Sequence, residues 1–321
     1  MLLSDIMNRA KIRLNAIVGS SRVKLWKDPE LCQYATNAER EIARRLLCLN
    51  ESDTIGYVTL SSGASGSITS VSVAGVAITS GAVSFATSLS QTATNLAANI
   101  NAYTSTPNYR AVSRGTNVII KAIPGTYPAT GYAIATVTSG LLTAVDTDLS
   151  GLCRFLIAIN GRYFALHEKA IKINRARFAT LDKRAVVVDK AQMDESSTSW
   201  ETNTAAEPSY LITDYDNREI ILDCPSVAAD MLEVECAREP LFEFSENQME
   251  KQIPEIPAMY HIFMVDWIVR DAFLKNDGET FDLGQAQKYE AEFERQIEEA
   301  KRERIRRIPG SNVNSVPGGL L

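Results

Sequence analysis

The stretch that decides the fold is residues 253–307, which read IPEIPAMYHIFMVDWIVRDAFLKNDGETFDLGQAQKYEAEFERQIEEAKRERIRR. Pro254 and Pro257 suit the first turn of a helix, where the missing N–H would have no partner. Asn276-Asp277-Gly278 is a helix stop, and Asp282 followed by Gln285 has the spacing of a capping box. The stretch therefore predicts a helical hairpin. Its apolar positions recur every three or four residues: Met259, Ile262, Phe263, Trp267, Val269, Phe273 and Leu274, then Leu283, Ala286, Tyr289, Phe293, Ile297 and Ala300.

Two amphipathic helices predicted at the N-terminus are the natural partners of this hairpin. Ser4 is the expected cap of the first, and Asp28 with Pro29 is expected to start the second. We expect Glu39 and its charged neighbours, residues 40, 41, 44 and 45, to point to solvent. The four helices would then bury their stripes in a bundle closed by both ends of the chain. The N-terminal stripes are Ile6, Met7, Ala10, Leu14 and Ile17, and Leu31, Tyr34, Ala35, Ala38, Ile42 and Leu46.

The composition changes abruptly after the second helix. Between Ile55 and Val145 the only charged residues are Arg110, Arg114 and Lys121, and Ser, Thr, Ala, Gly and Val fill most of the rest. A low-complexity linker is one interpretation, but local apolar periods favour folded structure. These periods predict a small α+β domain inserted into its host. Its expected strands are 68–73, 76–78, 83–85, 109–113, 118–123 and 132–137, and its helical face is Leu89, Ala93, Leu96, Ala97 and Ile100.

Strand patterns resume with the charges near Cys153. Residues 154–159 and 162–166 flank Asn160-Gly161, which predicts a hairpin with a type I′ turn. Leu232, Val234 and Cys236 alternate with two glutamates, as a half-buried strand requires. Further strands are expected at 171–178, 185–188, 209–213 and 219–222.

Composition sets limits on the class of protein. The chain has 321 residues, 45% hydrophobic and 22% charged, with a net charge of −6. These values are ordinary for a soluble protein of more than one domain and do not favour non-specific nucleic-acid binding. We expect no membrane span and no signal peptide. Five scattered cysteines without a C-x-x-C favour reduced thiols over a disulfide framework.

No catalytic constellation can be assembled from the sequence, so we expect no enzyme, cofactor or metal. His167 and His261 are far apart in sequence, and His261 fits a packed or rim position. Ser65 lies in a motif one residue short of G-x-S-x-G. Asp214-Tyr215-Asp216-Asn217 lacks the sixth-position glycine and distal glutamate of a calcium loop, which favours a hairpin turn. Cys224 and Cys236 are either cross-strand neighbours or separate buried thiols.

From Trp200 onward the sequence resembles the head-to-tail adaptor (connector, or neck) proteins of tailed bacteriophages. The resemblance covers residues 1–54 and 152–321, because members of the family also begin with a helix pair. The insert at 56–150 departs from the simplest members and is similar to the small Ser/Thr/Ala-rich modules of phage tail and neck proteins. The matching string comprises Trp200, Pro208, Tyr210, Asp214, Arg218–Leu222, Pro225, Leu232–Arg238, Pro240, Ile253-Pro254, Trp267 and Asp277–Thr280.

The fold expected overall is α+β: a helical bundle with an antiparallel β region and an inserted small α+β domain. The host would comprise residues 1–55 and 151–321, with a tail at 309–321. The resemblance implies a homo-oligomeric adaptor ring, twelve-fold to match the portal, in the virion neck after synthesis in the host cytoplasm. Its partners would be the portal, tail or nozzle proteins, and viral DNA that passes through the channel without sequence-specific binding.

The basic end of the last helix has two interpretations. Its cations can simply complement the helix C-terminus and stay solvated. The resemblance offers another use, portal docking, through Arg302, Arg304, Arg306, Arg307, Pro309, Val313 and Leu320. The alternative to an adaptor is a tail or baseplate-type structural protein whose insert faces a receptor or glycan.

Overall fold

The computed structural model describes residues 1–18, 25–123, 133–216, 218–246, 249, 252–275 and 280–307, with 16–18 and 305–307 described by their backbone alone. Within this part of the chain the helices are α1 Leu3–Val18, α2 Asp28–Leu46, α3 Leu89–Ala102, α4 Lys190–Ser196, α5 Phe263–Phe273 and α6 Leu283–Arg307. The strands are β1 Asn50–Glu51, β2 Thr54–Ser62, β3 Gly66–Val73, β4 Val76–Ala77, β5 Val83–Ser84, β6 Tyr109–Arg114, β7 Asn117–Ala122, β8 Ile134–Gly140, β9 Thr143–Asp148, β10 Arg154–Ile157, β11 Tyr163–Ala165, β12 Ala170–Phe178, β13 Lys183–Asp189, β14 Tyr210–Asp216, β15 Glu219–Leu222 and β16 Asp230–Arg238. The predicted α+β class is confirmed, with strands as the more numerous elements.

Contacts divide the chain into two units. The helical unit comprises Met1–Cys48, Phe242–Met249 and Pro254–Leu321, and the β unit comprises Leu49–Leu241 and Glu250–Ile253. The insert, residues 56–150, falls within the β unit. Its status as a separate domain stays a prediction.

In the helical unit, α5 contacts α1, α2 and α6. Most of the predicted apolar stripes are buried, including Ile6, Leu14, Ile42, Phe273 and Phe293. A regular four-helix bundle stays a prediction, because the contacts show which helices touch and not a bundle geometry. The side chain of Ile17 and the predicted helix stop at 276–278 lie outside what is described.

The helix starts differ from the prediction. α1 begins before Ser4, and the Asp5 carboxylate accepts the Leu2 N–H at 3.1 Å. Similarly, α2 begins at Asp28, and the Glu30 carboxylate accepts the Lys27 N–H at 3.1 Å. In both places an acidic residue in the first turn satisfies an orphan backbone donor ahead of the helix.

Three predicted burial positions are also wrong. Glu39 is buried instead of facing solvent, while Leu283 and Met259 are 51% and 45% exposed. Leu283 is the first residue of α6, and the buried stripe of the helix begins one turn later, at Ala286. The start of α6 itself is as predicted, since Asp282 Oδ1 accepts the Gln285 N–H at 3.0 Å.

The insert is built from two four-stranded sheets and α3. One sheet has the order β6-β7-β2-β9, and in the other β4, β5 and β8 all pair with β3. The β6–β7 hairpin and the buried face of α3 are confirmed. Strands β2 and β9 were not predicted. The apolar residues of this region form their own cluster, which includes Val58, Ile68, Leu96 and Ile120.

The third sheet has eight strands. Its order is β1-β16-β12-β13-β14-β15-β11, and β10 also pairs with β16. The predicted pairing of β14 with β15 and the alternation along β16 are confirmed. The region is not wholly antiparallel, since β13 and β14 run parallel. A parallel neighbour needs a crossover connection, and the unpredicted α4 lies in it.

The predicted hairpin at Asn160-Gly161 is wrong. Strand β10 pairs with β16, and β11 pairs with β15. Residues of both β10 and β11 line a cleft of about 500 Å³. Asn160 does adopt the positive φ, 63°, that a type I′ turn requires. However, its N–H donates to the Ser226 carbonyl at 2.7 Å, which ties the loop to another part of the chain.

Arg162 supports the backbone around Trp200, the residue at which the family resemblance begins. It is buried, and its guanidinium donates to the carbonyls of Leu222, Glu201 and Trp200 at 2.9, 2.7 and 2.9 Å. The Trp200 ring lies 5.4 Å from this guanidinium, and its Nε1–H donates to Asp194 at 2.7 Å. Trp200 therefore fastens the α4 crossover to the sheet.

Of the two interpretations of Cys224 and Cys236, separate buried thiols is the one confirmed. Cys236 lies beside Cys153, with 3.9 Å between the sulfur atoms, and both residues are buried thiols. The hydrogen bond with Cys236, together with burial, raises the pKa of the Cys153 thiol well above its usual range. Cys224 is a separate buried thiol.

Candidate docking surface at the end of the last helix

The basic residues proposed for docking occupy the last two turns of α6. Arg302 and Arg304 are exposed. Residues 306 and 307 belong to the helix, but their side chains lie outside the description, as do Pro309, Val313 and Leu320 altogether.

Arg304 has a structural contact as well as exposure. Its Nη1 donates to the backbone carbonyls of Leu46 and Leu47, the latter at 3.2 Å. These carbonyls belong to the end of α2, where helix C-termini leave acceptors without intrahelical partners. Arg304 therefore caps α2, a contact that sequence reasoning missed because the two residues are far apart in the chain.

Arg45 fixes the middle of α6 against α2. Its guanidinium forms ion pairs with Glu41 and Glu294 and lies 5.8 Å from the Trp267 ring and 5.6 Å from the Phe293 ring. The two rings are themselves 4.7 Å apart. Trp267 and Phe293 therefore lie in the packed α5–α6 contact, as the helical spacing predicted.

A buried carboxylate links three helices. Asp266 of α5 has no exposed side-chain surface, forms an ion pair with Arg13 of α1, and accepts from Gln296 Nε2 of α6 at 2.9 Å. Burial raises the pKa of the Asp266 carboxyl, against the opposing effects of Gln296 and Arg13. This link could not be predicted, because Asp266 lies within an otherwise apolar stretch of sequence.

Glu39 holds the segment that leads into α5. Its buried Oε1 accepts the backbone N–H groups of Glu255 and Ile256, the second at 3.2 Å. Glu255 is also buried and accepts the Phe242 N–H at 3.2 Å. Buried carboxylates that accept backbone donors replace the water those donors would otherwise bind. This clamp sets the position of Pro257 and the residues after it.

A notch of about 250 Å³ lies beside the end of α6. It is lined by Cys48, Pro257, Met259, Tyr260, Glu303 and Arg304. Most of its lining is apolar, and Met259 is on its exposed side. The notch thus joins the end of α2, the segment held by Glu39 and the basic end of α6.

A separate charge cluster lies at the base of the insert. Glu51 forms ion pairs with Lys121 of β7 at 2.6 Å and with Arg238 of β16 at 3.3 Å. Asp53 pairs with Arg110 of β6. Burial alone would raise the pKa of Glu51, but the charges of Lys121 and Arg238 lower it from 4.5 to about 2. Two of the three basic residues of the insert are therefore used to tie it to the eight-stranded sheet.

The motifs considered for catalysis or metal binding gain no supporting geometry. Ser65 lies in a turn between strands β2 and β3, whereas a nucleophile elbow joins a strand to a helix. In the described ranges no three His, Cys, Asp or Glu side chains converge as metal ligands. His261 is buried, and its Nε2 donates to the Ile256 carbonyl at 2.9 Å, so it supports the same segment as Glu39.

A family model described as SU10 adaptor protein matches residues 156–316, half of the chain. The chain therefore belongs to the SU10 adaptor protein family. No curated protein matches it.

Membership confirms the resemblance at the level of a phage adaptor. The chain is a structural component of the virion that interacts with other parts of the head or tail. The matched stretch runs from β10 through α6 to residue 316, so it includes residues 308–316 of the tail segment. Among the helices described, none is long and apolar enough to cross a membrane.

Proposed function

We propose that the chain forms the head-to-tail adaptor ring that joins the portal to the tail in the virion neck. The observation that carries this proposal is the family match, which covers the whole C-terminal hairpin and continues into the tail. Twelve copies would match the portal's symmetry. In this role the chain is a structural protein rather than an enzyme and needs no cofactor.

Docking on the portal would use the last turns of α6 and the segment after it. Arginine binds carboxylates in bidentate fashion and keeps its charge at any physiological pH. Arg302, Arg306 and Arg307 would supply these contacts, and Pro309, Val313 and Leu320 would order in a portal groove. Arg304 contributes differently, because capping α2 fixes the direction in which α6 ends. Repetition around a ring would turn a weak contact into a lasting one.

The charge of the host suits a channel wall. The host, residues 1–55 and 151–321, has 30 basic and 37 acidic residues, a net charge of −7. An acidic surface repels the DNA backbone and so lets DNA pass without sequence-specific binding. The other contacts of the ring would be with tail or nozzle proteins.

The test is joining of purified protein to portal-bearing heads, with negative-stain microscopy to score rings. One variant lacks residues 309–321 and carries Arg302→Ser, Arg306→Ser and Arg307→Ser. Arg304 is retained, since its loss would uncap α2. We expect rings that no longer join heads.

The matched control is Arg295→Ser on the same helix, where the arginine is exposed and pairs with the neighbouring Glu292 and Glu299. This control should join heads like the parent chain. If the tail variant also joins as well as the parent, docking lies elsewhere, and α1 and α2 become the next candidates.

One observation favours the alternative, a tail or baseplate-type protein with a receptor- or glycan-facing insert. The insert exposes Leu141, Val137 and Val145 at 67%, 54% and 55% on and around the β8–β9 hairpin. Binding of the purified chain to host cells that is lost with Leu141→Asp would support this alternative, and normal cell binding by that variant would count against it.

A further inference from the structure

The notch beside α6 leaves an apolar surface open in the unassembled chain. Pro257, Met259, Tyr260 and Cys48 are among the residues that line it. Met259 is a flexible, adaptable side chain that fits irregular partners. A volume of about 250 Å³ exceeds the ~150 Å³ that accommodates a benzene molecule in a protein cavity. The notch is therefore large enough for one large apolar side chain.

The chain leaves α6 next to this notch. Glu303 and Arg304 line it, and the helix ends at Arg307. At 1.5 Å per residue, residue 308 begins only about 6 Å beyond Arg304 along the helix axis. Pro309 cannot donate to a continued helix, and Gly310 permits a reversal of the chain. An extended residue spans about 3.3–3.6 Å, so a few residues suffice to return to the notch.

The segment that follows has the composition the notch would take. Residues 308–321 carry no charge and include five large apolar residues: Ile308, Val313, Val316, Leu320 and Leu321. A segment tethered close to its binding site has an effective concentration in the millimolar range, so even a weak contact is populated. A segment of the same chain thus has an advantage over any partner in solution.

We propose that the notch holds one large apolar side chain of the segment 309–321 of the same chain before assembly, either Val313 or Leu320. This inference rests on the proposed function, because the same segment is the one that docks on the portal. Docking then exchanges one apolar contact for another, and the segment is kept from binding other surfaces until the portal offers a better one. The notch is the place where adaptor docking is regulated.

Cys48 provides a sensor for the contact. It lines the notch and is half-buried, whereas Cys32, Cys153, Cys224 and Cys236 are buried. Burial also raises the pKa of Cys32 to about 11, so this thiol rarely forms the reactive thiolate. Modification of the native full chain by N-ethylmaleimide should therefore report on Cys48, and Cys48→Ser should abolish it.

The experiment compares the modification rate in the parent chain, in a chain lacking residues 309–321, and in Val313→Asp with Leu320→Asp. A charge cannot enter an apolar notch without a large desolvation cost. We expect both variants to react about tenfold faster, which corresponds to about 1.4 kcal/mol of protection. The matched control is Val227→Asp, an exposed valine in the β unit, which should leave the rate unchanged.

Equal rates in the parent chain and the deletion would overturn the proposal. Protection that disappears on tenfold dilution would also overturn it, because the occupant would then be a second copy. No portal is present in this measurement, so it is independent of the test of the proposed function. Loss of head joining with no change at Cys48 would leave the adaptor role standing without the notch contact.

Discussion

Between Ile55 and Val145 the chain has three charged side chains, whereas the 25-residue helix α6 alone has thirteen. The difference appears in how the two regions are fixed. In the helical unit, buried or half-buried charges join separate elements, as Asp266 and Glu39 do. Within the stretch from Ile55 to Val145, cross-strand hydroxyl and amide pairs do much of this: Ser67 with Ser139 at 2.9 Å, and Thr59 with Asn117 at 2.7 Å.

This comparison teaches where each region is vulnerable. A charged link concentrates free energy in a few side chains, and removal of one partner leaves the other buried without compensation. A hydroxyl ladder spreads small contributions over many pairs, each of about 0.2–1 kcal/mol. Single substitutions should therefore have larger effects on the helical unit and the charged base of the insert than on the insert's strands.

The largest effect is expected for Trp267→Ala. Trp267 packs on Phe293 and lies beside the guanidinium groups of Arg45 and Arg270. Truncation of a core aromatic lowers the free energy of unfolding by about 3–5 kcal/mol. Thermal melting should show a strongly destabilised or insoluble variant. A melting temperature close to the parent's would mean that α5 and α6 are not packed through this ring.

Periodic apolar positions and composition shifts were enough to predict α2, α3, α5 and α6 and the unusual character of the insert. Periodicity succeeds there because each helix buries one stripe, as Phe293, Ile297 and Ala300 show. The residues that cap the helix N-termini were harder to predict. Ser4 and Asp28 are good capping residues, but Asp5 and Glu30 reach back to the residue before each helix, so each helix begins earlier than predicted.

Long-range partners could not be read from the sequence. Asn160-Gly161 favours a hairpin locally, yet β10 pairs with β16 and β11 pairs with β15, and both partners are distant in the sequence. Glu39 lies on a helix among other charged residues. Its burial is favourable because its carboxylate accepts the backbone N–H groups of residues 255 and 256. The end of α6 was recognisable as basic, but the capping role of Arg304 depends on contacts more than 250 positions away.

The next largest effect is expected for Glu51→Gln at the base of the insert. The change leaves Arg238 buried beside a neutral side chain, and breaking a buried ion pair costs about 3 kcal/mol or more. Chemical denaturation at neutral pH should show the loss. Ser67→Ala in the hydroxyl ladder is the matched comparison and should cost well under 1 kcal/mol. Equal losses in the two variants would contradict the contrast between the regions.

Lowering the pH should reduce the stability that the same charge cluster provides. The pKa of Glu51 is lowered from 4.5 to about 2 in the folded chain, so its stabilisation is full above about pH 4.5 and is lost as pH falls toward 2. Burial and a hydrogen bond to Glu51 raise the pKa of Asp53, which has the opposite sign: its contribution is lost as pH rises. Denaturation at pH 5 and pH 3 should show a net loss in the parent chain that is smaller in Glu51→Gln. A loss of the same size in both would assign acid sensitivity to other carboxylates.

A smaller effect is expected for Glu39→Ala. The backbone N–H groups of Glu255 and Ile256 would lose a buried acceptor, which costs about 1–3 kcal/mol. Gln33→Ala, an exposed position on the same helix, should change stability by less than about 0.5 kcal/mol. Hydrogen exchange is the sharper measurement, because the two amides should lose protection even if global unfolding shifts little. Unchanged protection would show that the clamp is not formed in solution.

The smallest effect on the helical unit should come from the largest change, removal of the insert. Among the described residues, the buried members of the insert's apolar cluster all lie between Ile55 and Leu142, so a chain with a short loop in place of the insert should keep the melting transition of the helical unit. The reciprocal fragment should begin at Leu49, since a start at residue 56 would cut β2, and end near Cys153. It should melt cooperatively, because its two sheets and α3 enclose a core of their own. Glu51 and Asp53 remain in this fragment while Arg238 is absent, so the fragment should be less stable than the insert within the full chain. A fragment without dispersed amide signals would show that the base of the insert, and not its core, is what folds it.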